Sequence, residues 1–187
     1  MIHSFTGSAN EFRLWLDEPP FEATRGDSCL EESVEPATGS VPRWKSIVVE
    51  ASMHRGPMWL YGLLGVSVTA VPNSGALVIC IAKDSPAEQG LDFRDSLYFP
   101  GSHRLTKMMG FMPGYNEITL HEMSDEFLKA KLAFRGLIEI NYMGYSPSGT
   151  SPRLTEIMAR ALPHLLVEPE IRREKVHELI AAPTYSS

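Results

Sequence analysis

Apolar and polar residues alternate through much of this chain, and the alternation predicts most of its elements. Residues 44–54, "WKSIVVEASMH", carry β-branched residues at their centre and read as a strand. In 65–84, "GVSVTAVPNSGALVICIAKD", two β-rich runs flank Pro72-Asn73-Ser74-Gly75, which is hairpin chemistry. The run from Ala76 to Ala82 is almost continuously apolar, which predicts cover on both faces. Residues 116–123, "NEITLHEM", read as another strand. In 126–145, Leu128, Ala130, Leu132 and Phe134 alternate with Lys129, Lys131, Ala133 and Arg135. Beyond Gly136, Ile138, Ile140 and Tyr142 alternate with Glu139 and Asn141. Together they predict a second hairpin with one apolar face per strand.

The period changes at the two ends. Ser8 or Asn10 precedes Phe12, Leu14, Trp15 and Leu16, which predicts a short N-terminal helix. In "SPRLTEIMARALPHLL", Leu154, Ile157, Met158, Ala161 and Leu165 share one helical face, with Ser151 as cap and Pro152 in the first turn. Residues 168–182 predict a further helix of mixed charge. Residues 17–43 are rich in proline and acidic residues and read as a long connection. The expectation is an α+β single domain over 1–187, with the loop-rich segment 17–43 and C-terminal helices in 151–187. Its six or seven antiparallel strands would form a curled sheet or open β-barrel around an internal cavity, since sheets of that size tend to curl or close. Such cavities are ordinary small-molecule sites.

Composition narrows the function. With 187 residues, 43% of them hydrophobic and 21% charged, the chain can bury a core without staples. A net charge of -6 argues against nucleic acid as a partner, because that affinity rests on basic side chains. No apolar run reaches membrane-spanning length, and "MIHSFTGSANEF" has neither the basic nor the apolar region of a signal peptide. The expected location is therefore cytoplasmic. Cys80 reads as a small core residue and Cys29 as a loop residue. Free thiols are the default, with a Cys29–Cys80 disulfide left open. The six histidines show no metal-ligand spacing; "HELIA" at 177–181 lacks the second histidine of a zinc-protease helix. No metal and no tightly bound cofactor are expected. The sequence leaves a homo-oligomer open.

Four pieces, spread over residues 45–145, resemble the acetoacetate decarboxylase superfamily. "VVEASMH" resembles a strand with an inward glutamate followed by Met-His. "LYGLLGVSVTAVPNSGALVICIAKD" resembles a tyrosine-containing turn and hairpin. "GFMPGYNEITL" occupies the place of an aromatic-Pro-Lys-Lys segment, and "DEFLKAKLAFRGLIEINYMGY" resembles the last hairpin. The resemblance implies a β-rich scaffold whose lysine forms a Schiff base with a keto acid, a neighbouring lysine lowering its pKa. This chain departs from that pattern. Met109, Gly110, Phe111 and Met112 stand where the lysines would be, and Leu63 stands where a second carboxylate would fall. Glu50 alone carries over, so Schiff-base decarboxylation of acetoacetate is not expected.

Candidate chemistry follows from these residues. Glu50 sits among Ile47, Val48, Val49 and Ala51, and a carboxyl in apolar surroundings can act as a general acid or base near neutrality. His54 shares a strand face with it, about 13 Å along, where a histidine can shuttle protons. Lys107 or Arg104 would steady a developing enolate oxygen or hold a substrate carboxylate. Tyr61, Phe111, Met112 and Tyr115 would line an adaptable apolar pocket. The reading is a lyase, isomerase or cyclase of biosynthesis, in secondary metabolism, using acid-base chemistry on a carbonyl-bearing, largely apolar small molecule. The alternative is a non-catalytic protein that carries a lipophile, or an immunity-type protein that neutralises a partner through its acidic surface.

Overall fold

A computed structural model describes residues 1–6, 10–23, 28–36, 38–55, 58–71, 74–83, 88–89, 108–110, 114–147 and 149–181. The strands are β1 (Ile2–Thr6), β2 (Asn10–Leu16), β3 (Cys29–Val34), β4 (Ser46–Arg55), β5 (Met58–Ala70), β6 (Leu77–Ala82), β7 (Glu88–Gln89), β8 (Met108–Met109) and β9 (Gly136–Tyr145). The helices are α1 (Asn116–Lys129), α2 (Pro152–Val167) and the short α3 (Arg173–Val176), which continues as a π-helical turn over His177–Ala181. The protein is α+β. Its main sheet runs β1-β2-β4-β5-β9-β6-β3 and is open, with β1 and β3 at opposite edges. All its pairings are antiparallel except β6 with β9. The two-residue strands β7 and β8 pair beside the C-terminal end of β9.

Several expectations are corrected by this topology. The N-terminal helix is instead strand β2, paired to β1 and β4. Phe12, Leu14 and Leu16 face one side of the sheet and Trp15 the other, so an apolar cluster that mimics a helix is a strand buried on both faces. The predicted hairpin at 65–84 is also not formed. Both of its strands exist, but β9 lies between them, antiparallel to β5 and parallel to β6. "NEITLHEM" opens helix α1 rather than a strand. Its buried residues Asn116, Thr119, Leu120, Met123, Ser124 and Phe127 follow the three-four spacing of a helix. The second predicted hairpin keeps only its later strand, β9, since Leu128 and Lys129 end α1. The segment 17–43, read as loop, contributes edge strand β3.

The core is built from the alternation itself. Residues 47, 49, 51 and 53 of β4, with Leu64 and Val66 of β5, Leu77, Ile79 and Ile81 of β6, and Ile138 and Ile140 of β9, form one buried layer. Over it lie α1, against β3 and β6, and α2, against β4 and β5. Ile171, Val176 and Ile180 from the C-terminal segment complete the same layer. The capping read from sequence for α2 holds: Ser151 Oγ accepts from the Leu154 amide at 3.2 Å, with Pro152 in the first turn.

Helices α1 and α2 run in the same direction, because Glu122 pairs with Arg160 and Glu126 with His164, each 38 residues apart. The Arg160 hydrogen bond holds the Glu122 carboxyl below its ordinary range, against a smaller opposing effect of burial. For Glu126 burial pushes upward, and hydrogen bonds from His164 and Lys129 with their charges more than offset it, so the net shift is also downward. A depressed folded pKa means stability that is present above the unfolded value and lost as pH falls through the folded one.

Two predictions follow from this packing. Stability should fall as pH drops below about 4.5, and Arg160→Ala should make that acid dependence shallower; thermal melts from neutral to acid pH read both. Gly65 lies at the bulge where β5 shifts register against β9. A Cβ there would stand 2.7 Å from the Ile47 carbonyl oxygen and 2.8 Å from Val48 Cα, both backbone atoms that cannot turn aside. Gly65→Ala should therefore cost about 1–3 kcal/mol in urea denaturation, as overpacking does.

Candidate functional site

The opposite face of the sheet carries a smaller layer with different chemistry. Trp15, Val48, Tyr61, Leu63 and Tyr142 form a buried cluster there, with Phe21 and Ala23 packed onto it. Glu50 belongs to the same face, because it alternates with Val49 and Ala51 of the helix-side core. It is 0% exposed, the one carboxylate among the described buried residues. The register sets Glu50 opposite Arg13 on β2 and Leu63 on β5.

Tyr61 is also 0% exposed, and its hydroxyl donates to Glu50 Oε1 at 3.0 Å. The backbone of Tyr61 is fixed from the other side of β5. Its amide donates to the Gly149 carbonyl at 2.9 Å, and its carbonyl accepts from the Thr150 hydroxyl. The turn after β9 therefore clamps the residue whose side chain reaches the carboxyl. Ser52, 2% exposed, stands opposite Tyr61 in the β4–β5 register. Burial, then the nearby Glu50 charge and the hydrogen bond to it, hold the Tyr61 phenol well above its ordinary value. Tyr61 is thus a hydrogen-bond donor rather than a base across the usual pH range.

The remaining candidates separate. His54 lies on the same face of β4 but is exposed, its ring 4.8 Å from that of Trp59. Tyr115 precedes α1 and borders a pocket with Gly62, Met143, Tyr145, Thr155 and Met158. That pocket lies on the helix side of the sheet, since a Cβ at Gly62 would meet Met158 and Leu154 of α2. It holds about 10 Å³, room for one water. Lys107, Arg104, Phe111 and Met112 lie outside the described residues. The structure thus joins Glu50 to Tyr61 and sets Tyr115 apart from both. Trp15, Ser52, Tyr142 and Phe21 surround the pair and were not singled out from the sequence. The alternation Glu11, Arg13 against Phe12, Leu14 was the signal that could have placed Trp15 on this face.

Farther along the same face, Cys80 stands between Glu31 on β3 and Glu139 on β9. Burial first, then these carboxylates and Cys29, push its thiol up to about 12, so it carries little nucleophilic thiolate. Both cysteines are free. Among the described residues, no group of three or more His, Cys, Asp or Glu could hold a metal ion, and no helix is long and apolar enough to cross a membrane. No protein-family model, curated protein or solved structure matches the chain.

The buried phenol generates a prediction in alkali. A folded pKa raised above the unfolded one gives stability that is complete below the unfolded value and lost as pH rises toward the folded one. Denaturation midpoints should therefore fall above pH about 10, and Tyr61→Phe should flatten that fall. An unchanged alkaline slope in the variant would show that Tyr61 is not held in its neutral form by the fold.

Proposed function

We propose that this protein is a small-molecule enzyme of the lyase, isomerase or cyclase type, acting by general acid-base chemistry on a carbonyl-bearing, largely apolar substrate. Glu50 takes a proton from the carbon next to the carbonyl and returns it to the product. Tyr61 holds the carboxyl in place and fixes which oxygen faces the substrate. Lys107 or Arg104 steadies the oxygen that gains charge in the enolate. The observation that carries the reading is one carboxyl, fully buried in mid-strand and held by an equally buried tyrosine among aromatic side chains. Burying a carboxyl is costly, and hydrophobic residues would fill the same volume at no such cost. The four-piece resemblance to the acetoacetate decarboxylase superfamily supports the same choice of residue at 50.

The test is proton exchange. The protein is incubated in D2O with acetoacetate and with acetophenone, and deuterium entering the carbon beside the carbonyl is followed by mass spectrometry. The wild type should accelerate exchange, and Glu50→Gln should abolish that acceleration while leaving binding of the same compound intact. Exchange at the wild-type rate in Glu50→Gln would overturn the acid-base role. Binding without exchange in the wild type would favour the alternative of a lipophile carrier.

A further inference from the structure

Strand β1 is one of the two edges of the open sheet, and among the described residues β2 is its only strand neighbour. The hydrogen bonding of that pair shows which backbone groups are left over. The Leu16 amide donates to the Met1 carbonyl at 2.8 Å, and the Met1 amino group donates to the Leu16 carbonyl at 2.8 Å. In an antiparallel ladder such bonded pairs alternate with non-bonded ones. The register then bonds His3 to Leu14 and Phe5 to Phe12, while Ile2, Ser4 and Thr6 turn their amides and carbonyls outward. Those three residues are exposed, Ile2 at 45% beside Met1 at 61%.

The two edges are not alike. Strand β3 carries Glu31 and Glu32, one on each face, so two copies meeting there would set like charges together. Strand β1, Ile-His-Ser-Phe-Thr, holds no Asp, Glu, Lys, Arg or proline, the residues that blunt an edge. Its pattern is also self-complementary. A second β1 laid antiparallel, with Ser4 facing Ser4, sets Ile2 of each copy opposite Thr6 of the other. All the outward residues then fall in bonded pairs, each exchanging two hydrogen bonds. The same register puts His3 of each copy opposite Phe5 of the other, in the closer, non-bonded kind of pair. These rings already stack within one chain, centroids 6.1 Å apart at 19°, on the face where Phe5 packs against the helix-side core. The pairing gathers the rings of both copies into one row, and aromatic cross-strand pairs stabilise a ladder.

We propose that two copies of this chain associate through β1, antiparallel about Ser4, into one sheet continuous across both. This interface goes beyond the acid-base reading and does not depend on it. Strands this short make a small contact, so the dimer dissociates on dilution.

Sedimentation velocity of the full chain from about 1 µM to about 1 mM reads the association. The wild type should pass from the mass of one chain to that of two. Ser4→Pro removes an outward amide and leaves the bonds to β2 in place, as proline does on an edge strand. It should stay monomeric throughout, with an unchanged far-ultraviolet circular dichroism spectrum. Ser4→Lys charges the same edge, should weaken association about tenfold or more, and serves if the proline variant does not fold. Ser33→Lys, at the exposed edge β3, should associate as the wild type does. Oxidation with copper phenanthroline in a Cys29→Ser background reads the register. Ser4→Cys should give a disulfide-linked dimer, and Thr6→Cys, whose two copies would stand about 13 Å apart along the strands, should not. A wild type still monomeric at about 1 mM, association unchanged in both Ser4 variants, its loss in Ser33→Lys, or equal cross-linking from positions 4 and 6 would each overturn the proposal.

Discussion

The hydrogen bond from the Tyr61 hydroxyl to Glu50 is the interaction on which the second face of this sheet depends. Strand β4 is buried on both sides, and its middle is apolar except for Ser52 and the carboxyl at position 50. A carboxyl there must find donors inside the protein or leave the face open to water. Tyr61 supplies a donor, and the requirement then spreads outward. The tyrosine must come from the neighbouring strand, close to Ser52 in register. Its backbone must be held, which Gly149 and Thr150 do from the turn beyond β9. Its ring must be covered, and it lies in one buried cluster with Trp15, Val48, Leu63 and Tyr142, onto which Phe21 packs against Tyr142. The residues around this polar group thus come from β2 and the segment after it, from β4 and β5, and from β9 and the turn beyond it.

The two faces divide the labour of the fold. The helix side is a large apolar layer under α1 and α2, and it holds the sheet together through ordinary burial. The other side is smaller, more aromatic and more polar, with Glu50, Ser52 and the Cys80–Glu139 row. The buried carboxyl lies on the smaller layer, away from the large apolar one. The same division explains why Tyr115 and the one-water pocket stand apart from Glu50, with the sheet between them.

Local patterns carried the sequence as far as neighbouring residues decide structure. Strand β4, the apolar strand β6, strand β9 and the capped helix α2 were legible because period and capping signals agree there. The N-terminal segment was misread because Leu14, Trp15 and Leu16 are apolar in a row, which a doubly covered strand and a short helix share. Helix α1 was misread because Ile118, Thr119 and Leu120 imitate a strand, while the helical stripe shows only when followed to Phe127. The insertion of β9 between β5 and β6 has no local signature at all, since strand pairing is a long-range property. Of the candidate site, Glu50 was singled out by its setting in an apolar strand, and Tyr61 only through the resemblance, which put it in a turn rather than in strand β5. Their mutual contact was not, because it depends on the β4–β5 register. Phe21 was hidden in a proline-rich stretch that carries no period.

The account stands on Glu50 and Tyr61 acting as one buried unit. A double-mutant cycle measures that directly: Tyr61→Phe, Glu50→Met and the double variant, compared by urea denaturation at neutral pH. Methionine keeps the length of the side chain and removes the acceptor. The predicted coupling energy is about 1–3 kcal/mol, the range of a buried hydrogen bond to a carboxyl. Additive losses, with a coupling indistinguishable from zero, would contradict the account.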